Sequence, residues 1–156
     1  MKKKIVVLGF LGTNLDQGGK PRWGRWRPTI SLAQQDDLLV DRFELFYEKN
    51  FLDLAQLVQK DFQQVSPETE FNLREVVLKD PWDFQTVYSG IFDNLKDYKF
   101  DTDNEEYLVH ITTGTHVIQI CLFLLTESRH IPGKLLQTHM QKSRNPNGTY
   151  TIIDLD

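Results

Sequence analysis

Hydrophobic positions along the chain fall into two alternating periods, short runs that suit strands and longer stripes that suit helices. Ile5–Leu8 is a continuous apolar run closed by Gly9, the pattern of a strand covered on both faces in a parallel sheet. A long connection over residues 10–28 follows, and Pro28 then opens a short helix through Gln35. Asp41–Tyr47 alternates Phe43, Leu45 and Tyr47 with charged residues as a second strand. Asn50 caps a helix over Phe51–Val65 with Leu54, Leu57, Val58 and Phe62 on its buried stripe.

Phe71–Leu78 reads as a third strand. Asp80 as a cap with Pro81 at the first helical position predicts a helix to about Tyr98, burying Phe84, Val87, Tyr88, Ile91 and Leu95. Tyr107–Ile111 and Leu135–Thr138 are the fourth and fifth strands, separated by a helix over Thr115–His130 that Pro132-Gly133 stops. Thr149–Leu155 is a last strand, for which antiparallel pairing is considered. This alternation predicts one α/β domain over residues 1–156, a Rossmann-like three-layer sandwich around a mainly parallel sheet.

Composition narrows the classes. At 156 residues, with 40% hydrophobic and 26% charged positions, the chain is sized for one core. A formal net charge of −4 means that any contact with a polyanion must come from a local basic patch. The one cysteine, Cys121, lies in an apolar run and suits a reducing compartment. No stretch approaches the length of a membrane span, and "MKKK" followed by "IVVLGFLG" lacks the layout of a signal peptide. A soluble, cytoplasmic protein with no membrane partner is expected.

The first candidate site is "HITTGTH", residues 110–116, at a strand-to-helix junction. Ligands of open α/β sheets bind beyond the carboxyl ends of strands. There Gly114 allows close backbone approach, the helix start offers unpaired amides, and Thr112, Thr113 and Thr115 add hydroxyls. His116, in the first helical turn, is biased towards neutral imidazole. The plainer reading is that Thr115 caps the helix and the other threonines end the strand.

The second feature is the loop over residues 10–28. Lys20, Arg22, Arg25 and Arg27 stand against Asp16 alone, four positive charges less one negative, so the loop carries +3. Trp23 and Trp26 are interleaved with the arginines, a composition suited to phosphates and bases. The alternative is a self-contained loop, with its tryptophans in the core and its arginines paired to surface acids. Trp82 is either a stacking surface or a packing staple, and His139, Lys142 and Arg144 either close over a ligand or stay solvated.

Several chemistries find no support. GxxxxGK[ST] and GxSxG are absent, Gly9-x-x-Gly12 is too degenerate for a dinucleotide fingerprint, and the four histidines lack metal-ligand spacing, so no metal or cofactor is expected. The helix Val117–Leu125 is apolar on nearly every face apart from Gln119, so it is either deeply buried or covered by another chain.

Four segments, "HITTGTHVIQIC", "RWGRWRPTISL", "DPWDF" and "TIIDLD", resemble the sensor domains of the RtcR family, activators of the bacterial RNA-repair ligase and cyclase operon. The resemblance covers essentially the whole chain. These sensors belong to the CARF group, the CRISPR-associated Rossmann folds, so it implies a CARF-type fold, a homodimer, and an RNA-derived ligand at the carboxyl edge of the sheet. The implied ligand is an RNA end bearing a 2′,3′-cyclic phosphate, and related CARF proteins take cyclic oligoadenylate.

Thr112, Thr113, Gly114, Thr115 and His116 match the family's ligand-binding junction. Gly12, Thr13, Arg22, Trp23, Arg25, Trp26 and Arg27 fall, by position, in the other half of its pocket. The resemblance further implies a regulator that continues into an AAA+ ATPase acting on sigma-54 RNA polymerase, then a helix-turn-helix. Both modules are expected to be absent from this chain. Binding without catalysis is expected; the alternative is a ring nuclease in which His116 and Thr113 position a ribose 2′-hydroxyl and transfer a proton.

Overall fold

The structure is a computed structural model that describes residues 2–140 and 147–156. Strand β1 (Lys4–Phe10) lies in the middle of the sheet, and its side chains alternate between two cores. Val6, Leu8 and Phe10 enter one, Val7 and the following Leu11 the other. Helices α1 (Pro28–Ala33) and α2 (Leu52–Val65) cover the second core with Ile30, Leu32, Val58 and Phe62. Helices α3 (Phe84–Leu95) and α4 (His116–Glu127) cover the first with Val87, Ile91, Cys121 and Leu122. Helices therefore flank both faces, and the domain is the three-layer α/β sandwich the periodicity implies.

The other strands are β2 (Arg42–Tyr47), β3 (Glu70–Glu75), β4 (Glu105–His110), β5 (Gly133–His139) and β6 (Thr149–Ile153), in the order β3-β2-β1-β4-β5-β6. The first five run parallel, and β6 pairs antiparallel with β5. The order reverses between β1 and β4, and a crevice opens at the carboxyl ends of those two strands. Among the described residues no helix is long and apolar enough to cross a membrane.

Element ends differ from the sequence expectation where tertiary contacts decide. Asp80 does not cap α3: its carboxylate accepts from the Trp82 amide in a local turn, and Asp83 becomes the cap, accepting from the amide and hydroxyl of Thr86. Asn50 does not cap α2, which is led in by a 3-10 turn over Lys49–Phe51. β3 stops at Glu75; Val76, whose amide still donates to the Tyr47 carbonyl of β2 at 2.8 Å, and Leu78 continue into the core. α4 ends at Glu127 rather than His130, because Arg129 adopts a left-handed φ of 69°.

Candidate ligand-binding cleft at the sheet switch point

The junction after β4 is held from several sides. The Thr112 hydroxyl accepts from the Thr138 amide at 2.8 Å, and the buried Thr113 hydroxyl donates to the Phe10 carbonyl. Gly114 has φ +92°, and a Cβ there would stand 2.9 Å from Ile118, so only glycine fits without strain. Thr115 caps α4 through the Ile118 amide and donates to the Pro81 carbonyl at 2.8 Å, tying the loop after β3 to the helix. The Gln119 amide group spans the Thr112 and Gly114 carbonyls. Sequence reading noted Gln119 as the polar exception in an apolar helix but did not nominate it for the site.

The loop after β1 is folded back by Asp16. This fully buried carboxylate accepts from the Gly12 amide at 2.8 Å, the Thr29 amide at 2.9 Å and the Thr29 hydroxyl at 2.7 Å. Burial pushes its carboxyl up, while the Thr29 and Gly12 donors and the Arg27 charge pull the other way. A Cβ on Gly12 would meet Thr113 at 2.9 Å, so the two loops approach at their closest possible distance. Two sets of backbone amides, those of Thr13, Asn14 and Leu15 and those of Thr113, Gly114 and Thr115, have no hydrogen-bond partner among the described residues.

Between these loops lies a cleft of about 370 Å³, a size common in small-ligand sites. Its walls come from residues 10–15, from Thr112, Thr113, Gly114 and Thr115 with Ile118 and Gln119, and from Glu48, Phe51, Pro81 and Trp82. Among the described residues no lysine, arginine or histidine lines it, and Glu48 is the one charged residue on its wall. The Glu48 carboxylate makes no hydrogen bond or ion pair among the described residues, and burial alone raises its carboxyl above its ordinary value. Next to the cleft floor, His110 is fully buried, bonded through Nε2 to the Thr138 hydroxyl at 2.9 Å, and burial holds it down to about 3, so it is neutral.

The sequence-nominated residues divide into two groups. Gly12, Thr13, Thr112, Thr113, Gly114 and Thr115 meet in the cleft. His116 lies outside it, exposed above a separate hollow with Ile111, Ile120, Phe123 and Gln137. Arg22 and Arg27 also lie outside, because both bind the buried Asp61 of α2, each at 2.8 Å. Their guanidinium groups stand 5.9 and 4.9 Å from the Trp23 ring. The basic loop thus spends much of its charge internally, on a buried acid and not on the surface acids that the alternative reading required.

Asp61 was the missed signal: it falls on the buried face of α2 between Val58 and Phe62, where an acid needs a partner. Arg25 and Trp26 remain open to a ligand, in a hollow that shares Asn14 and Leu15 with the main cleft. His139 bonds the Thr151 hydroxyl at 3.1 Å on the β5–β6 hairpin, while Lys142 and Arg144 fall outside the described residues.

Residues 3–156 match the family model RtcR, described as regulator of RNA terminal phosphate cyclase. The transcriptional regulatory protein RtcR of Escherichia coli strain K12 is 46% identical over 99% of this chain; the chain spans only 30% of that relative's length. Among solved structures, Csm6 of Enterococcus italicus, bound to cyclic hexa-2′-fluoro-hexa-dAMP, superposes with a TM-score of 0.70 at 14% identity, over 94% of this chain and 37% of its own. Can2 of Sulfobacillus thermosulfidooxidans, in complex with cyclic tetra-adenylate, gives 0.54 at 18% identity, over 96% of this chain and 37% of its own. The fold is of the CARF type.

Proposed function

This chain belongs to the RtcR family, regulators of RNA terminal phosphate cyclase, and from that premise we propose that it is the ligand-sensing domain of a transcriptional regulator, with the switch-point cleft as its receptor for an RNA end carrying a 2′,3′-cyclic phosphate. The observation that carries this reading is the pair of amide sets, Thr13–Leu15 and Thr113–Thr115, unpartnered among the described residues, around a cleft that no described cationic side chain lines. Backbone amides stabilise an anion without supplying full positive charge. A cyclic phosphodiester carries one negative charge, whereas a terminal monoester carries up to about two at neutral pH. With Glu48 on the wall, the cleft favours the singly charged end.

Upstream nucleotides follow the adjoining hollow, with Arg25 at a phosphate and Trp26 beside a base. The domain acts by binding and not by chemistry. Thr113, one of the two residues suited to proton transfer, donates its hydroxyl to a backbone carbonyl, and the other, His116, lies outside the cleft. In the longer cytoplasmic regulator the domain pairs with a second copy through the open face of α4, and occupancy changes the restraint on a following AAA+ ATPase that serves sigma-54 RNA polymerase. Ligand energy drives such a change only through unequal affinity for two arrangements.

A second reading, binding or cleavage of a cyclic oligoadenylate, is favoured by the ligands held in the Csm6 and Can2 structures. Calorimetric titration with matched short RNAs ending in 2′,3′-cyclic phosphate, 3′-phosphate or 3′-hydroxyl, with cyclic tetra-adenylate alongside, separates the two. Mass spectrometry of each ligand follows. Preference for an intact cyclic-phosphate end supports the damage-sensing reading; preference for the cyclic nucleotide, or its cleavage, replaces it with the second.

A further inference from the structure

The backbone carbonyl of Glu48 accepts from the Phe51 amide at 2.8 Å, but its carboxylate holds nothing in the fold. The residue leaves the carboxyl end of β2 half-exposed, its carboxylate without an ion-pair or hydrogen-bond partner among the described residues, on the wall of a cleft that no described cation lines. A bound phosphate is repelled by it, which places the phosphate against the amides of Thr113–Thr115 and leaves the Glu48 side for the nucleobase. Phe51, whose amide donates to the Glu48 carbonyl at 2.8 Å, and Trp82, with 63% of its surface exposed, share the cleft wall and offer faces on which a base stacks.

A carboxylate has acceptors only. Of the four RNA bases, guanine alone presents two adjacent N–H donors, N1–H and N2–H, on its Watson–Crick edge. In adenine and cytosine the exocyclic amine sits beside a ring nitrogen that is itself an acceptor, and uracil flanks its single N–H with two carbonyls. A pair of charge-assisted bonds therefore forms with guanine, whereas the other bases turn at least one acceptor towards the second carboxylate oxygen. Resting on the reading of this cleft as a receptor for an RNA end, we infer that Glu48 selects the terminal nucleobase, and that the preferred ligand ends in guanosine.

The test is titration of this chain with four short RNAs that differ only in the 3′-terminal base, each ending in 2′,3′-cyclic phosphate, for wild type, Glu48→Gln and Trp82→Ala. Wild type binds the guanosine end about tenfold more tightly than the uridine end, in line with the worth of one bidentate base contact. Glu48→Gln narrows that gap to under about threefold, and Trp82→Ala weakens all four ends alike because stacking is tolerant of base identity. Circular dichroism melting confirms that both variants fold.

Equal wild-type affinity for all four ends overturns the role of Glu48 and leaves the RNA-end reading standing, as does a guanosine preference that survives Glu48→Gln. Absence of binding to every RNA overturns the reading of the cleft, and the inference with it. Cleavage by wild type that Glu48→Gln abolishes reassigns the carboxylate to proton transfer and also overturns the inference.

Discussion

Single buried polar groups decide how the loops of this domain are held. Asp61 receives Arg27, whose side chain is almost wholly buried, and the more exposed Arg22. Replacing Asp61 with alanine leaves an unpaired guanidinium in the core and is expected to cost about 3–5 kcal/mol, against under about 1 kcal/mol for Arg22→Ala; urea denaturation checks both. His110 gives a pH signature. Its folded-state value, lowered to about 3, lies below the ordinary 6.5, so below pH 6.5 the unfolded chain takes up a proton that the folded chain refuses. The resulting stability is present above that pH and lost as pH falls through the window towards 3. Between about pH 7 and pH 5 this group removes about 2 kcal/mol, and His110→Gln abolishes that part of the slope in denaturation curves taken across the range. Equal slopes in wild type and variant would contradict a buried neutral imidazole. Residues of this kind were the hardest to read in advance. Asp16 looks like any solvated loop acid in the sequence, Asp61 is marked only by its place on the buried stripe of α2, and their partners, Thr29 for one and Arg22 and Arg27 for the other, are fixed only by the fold.

Strands and helices were far more legible, because apolar period depends on local chain geometry. Val6, Leu8 and Phe10 face one core and Val7 the other, as a strand covered on both sides must. Ends were less so. Asp80 and Asp83 are both competent caps for α3, and the choice between them rests on the local turn that Asp80 makes with Trp82. The cap at Thr115 was legible, since a threonine before an apolar helical run accepts from the first-turn amides, whereas the left-handed φ of Gly114 was not read from the sequence. Gly114→Ala combines φ strain with a clash on Ile118, and a loss of about 1–3 kcal/mol is expected together with weaker ligand binding. Gly24→Ala in the neighbouring loop has open space and no left-handed φ, and is expected to lie within about 0.5 kcal/mol of wild type. Thermal melts of the two variants, side by side, separate backbone strain from a general intolerance of alanine.

At the scale of the molecule, the sheet order carries the functional consequence. Reversal between β1 and β4 opens the cleft, and the same order leaves one face of α4 uncovered. Ile120 and Phe123 there are 51% and 38% exposed, which decides that a helix apolar on nearly all sides is not fully buried within one copy. On the pairing through α4 proposed above, Ile120→Glu is expected to shift the chain from dimer to monomer in sedimentation velocity without lowering its melting temperature; a wild-type chain that sediments as a monomer, or an unchanged coefficient in the variant, would contradict that pairing. Sequence reading nominated the carboxyl edge of the sheet, where the structure has its cleft, but assigned Arg22 and Arg27 to it, having no means of knowing that Asp61 holds both or that Glu48 comes in from β2. The most direct measurement is amide hydrogen exchange of the chain with and without an RNA ending in 2′,3′-cyclic phosphate. Protection concentrated at residues 13–15 and 113–115 is the predicted result. Protection confined to other segments, with those amides exchanging as in the free chain, would contradict the cleft as the receptor.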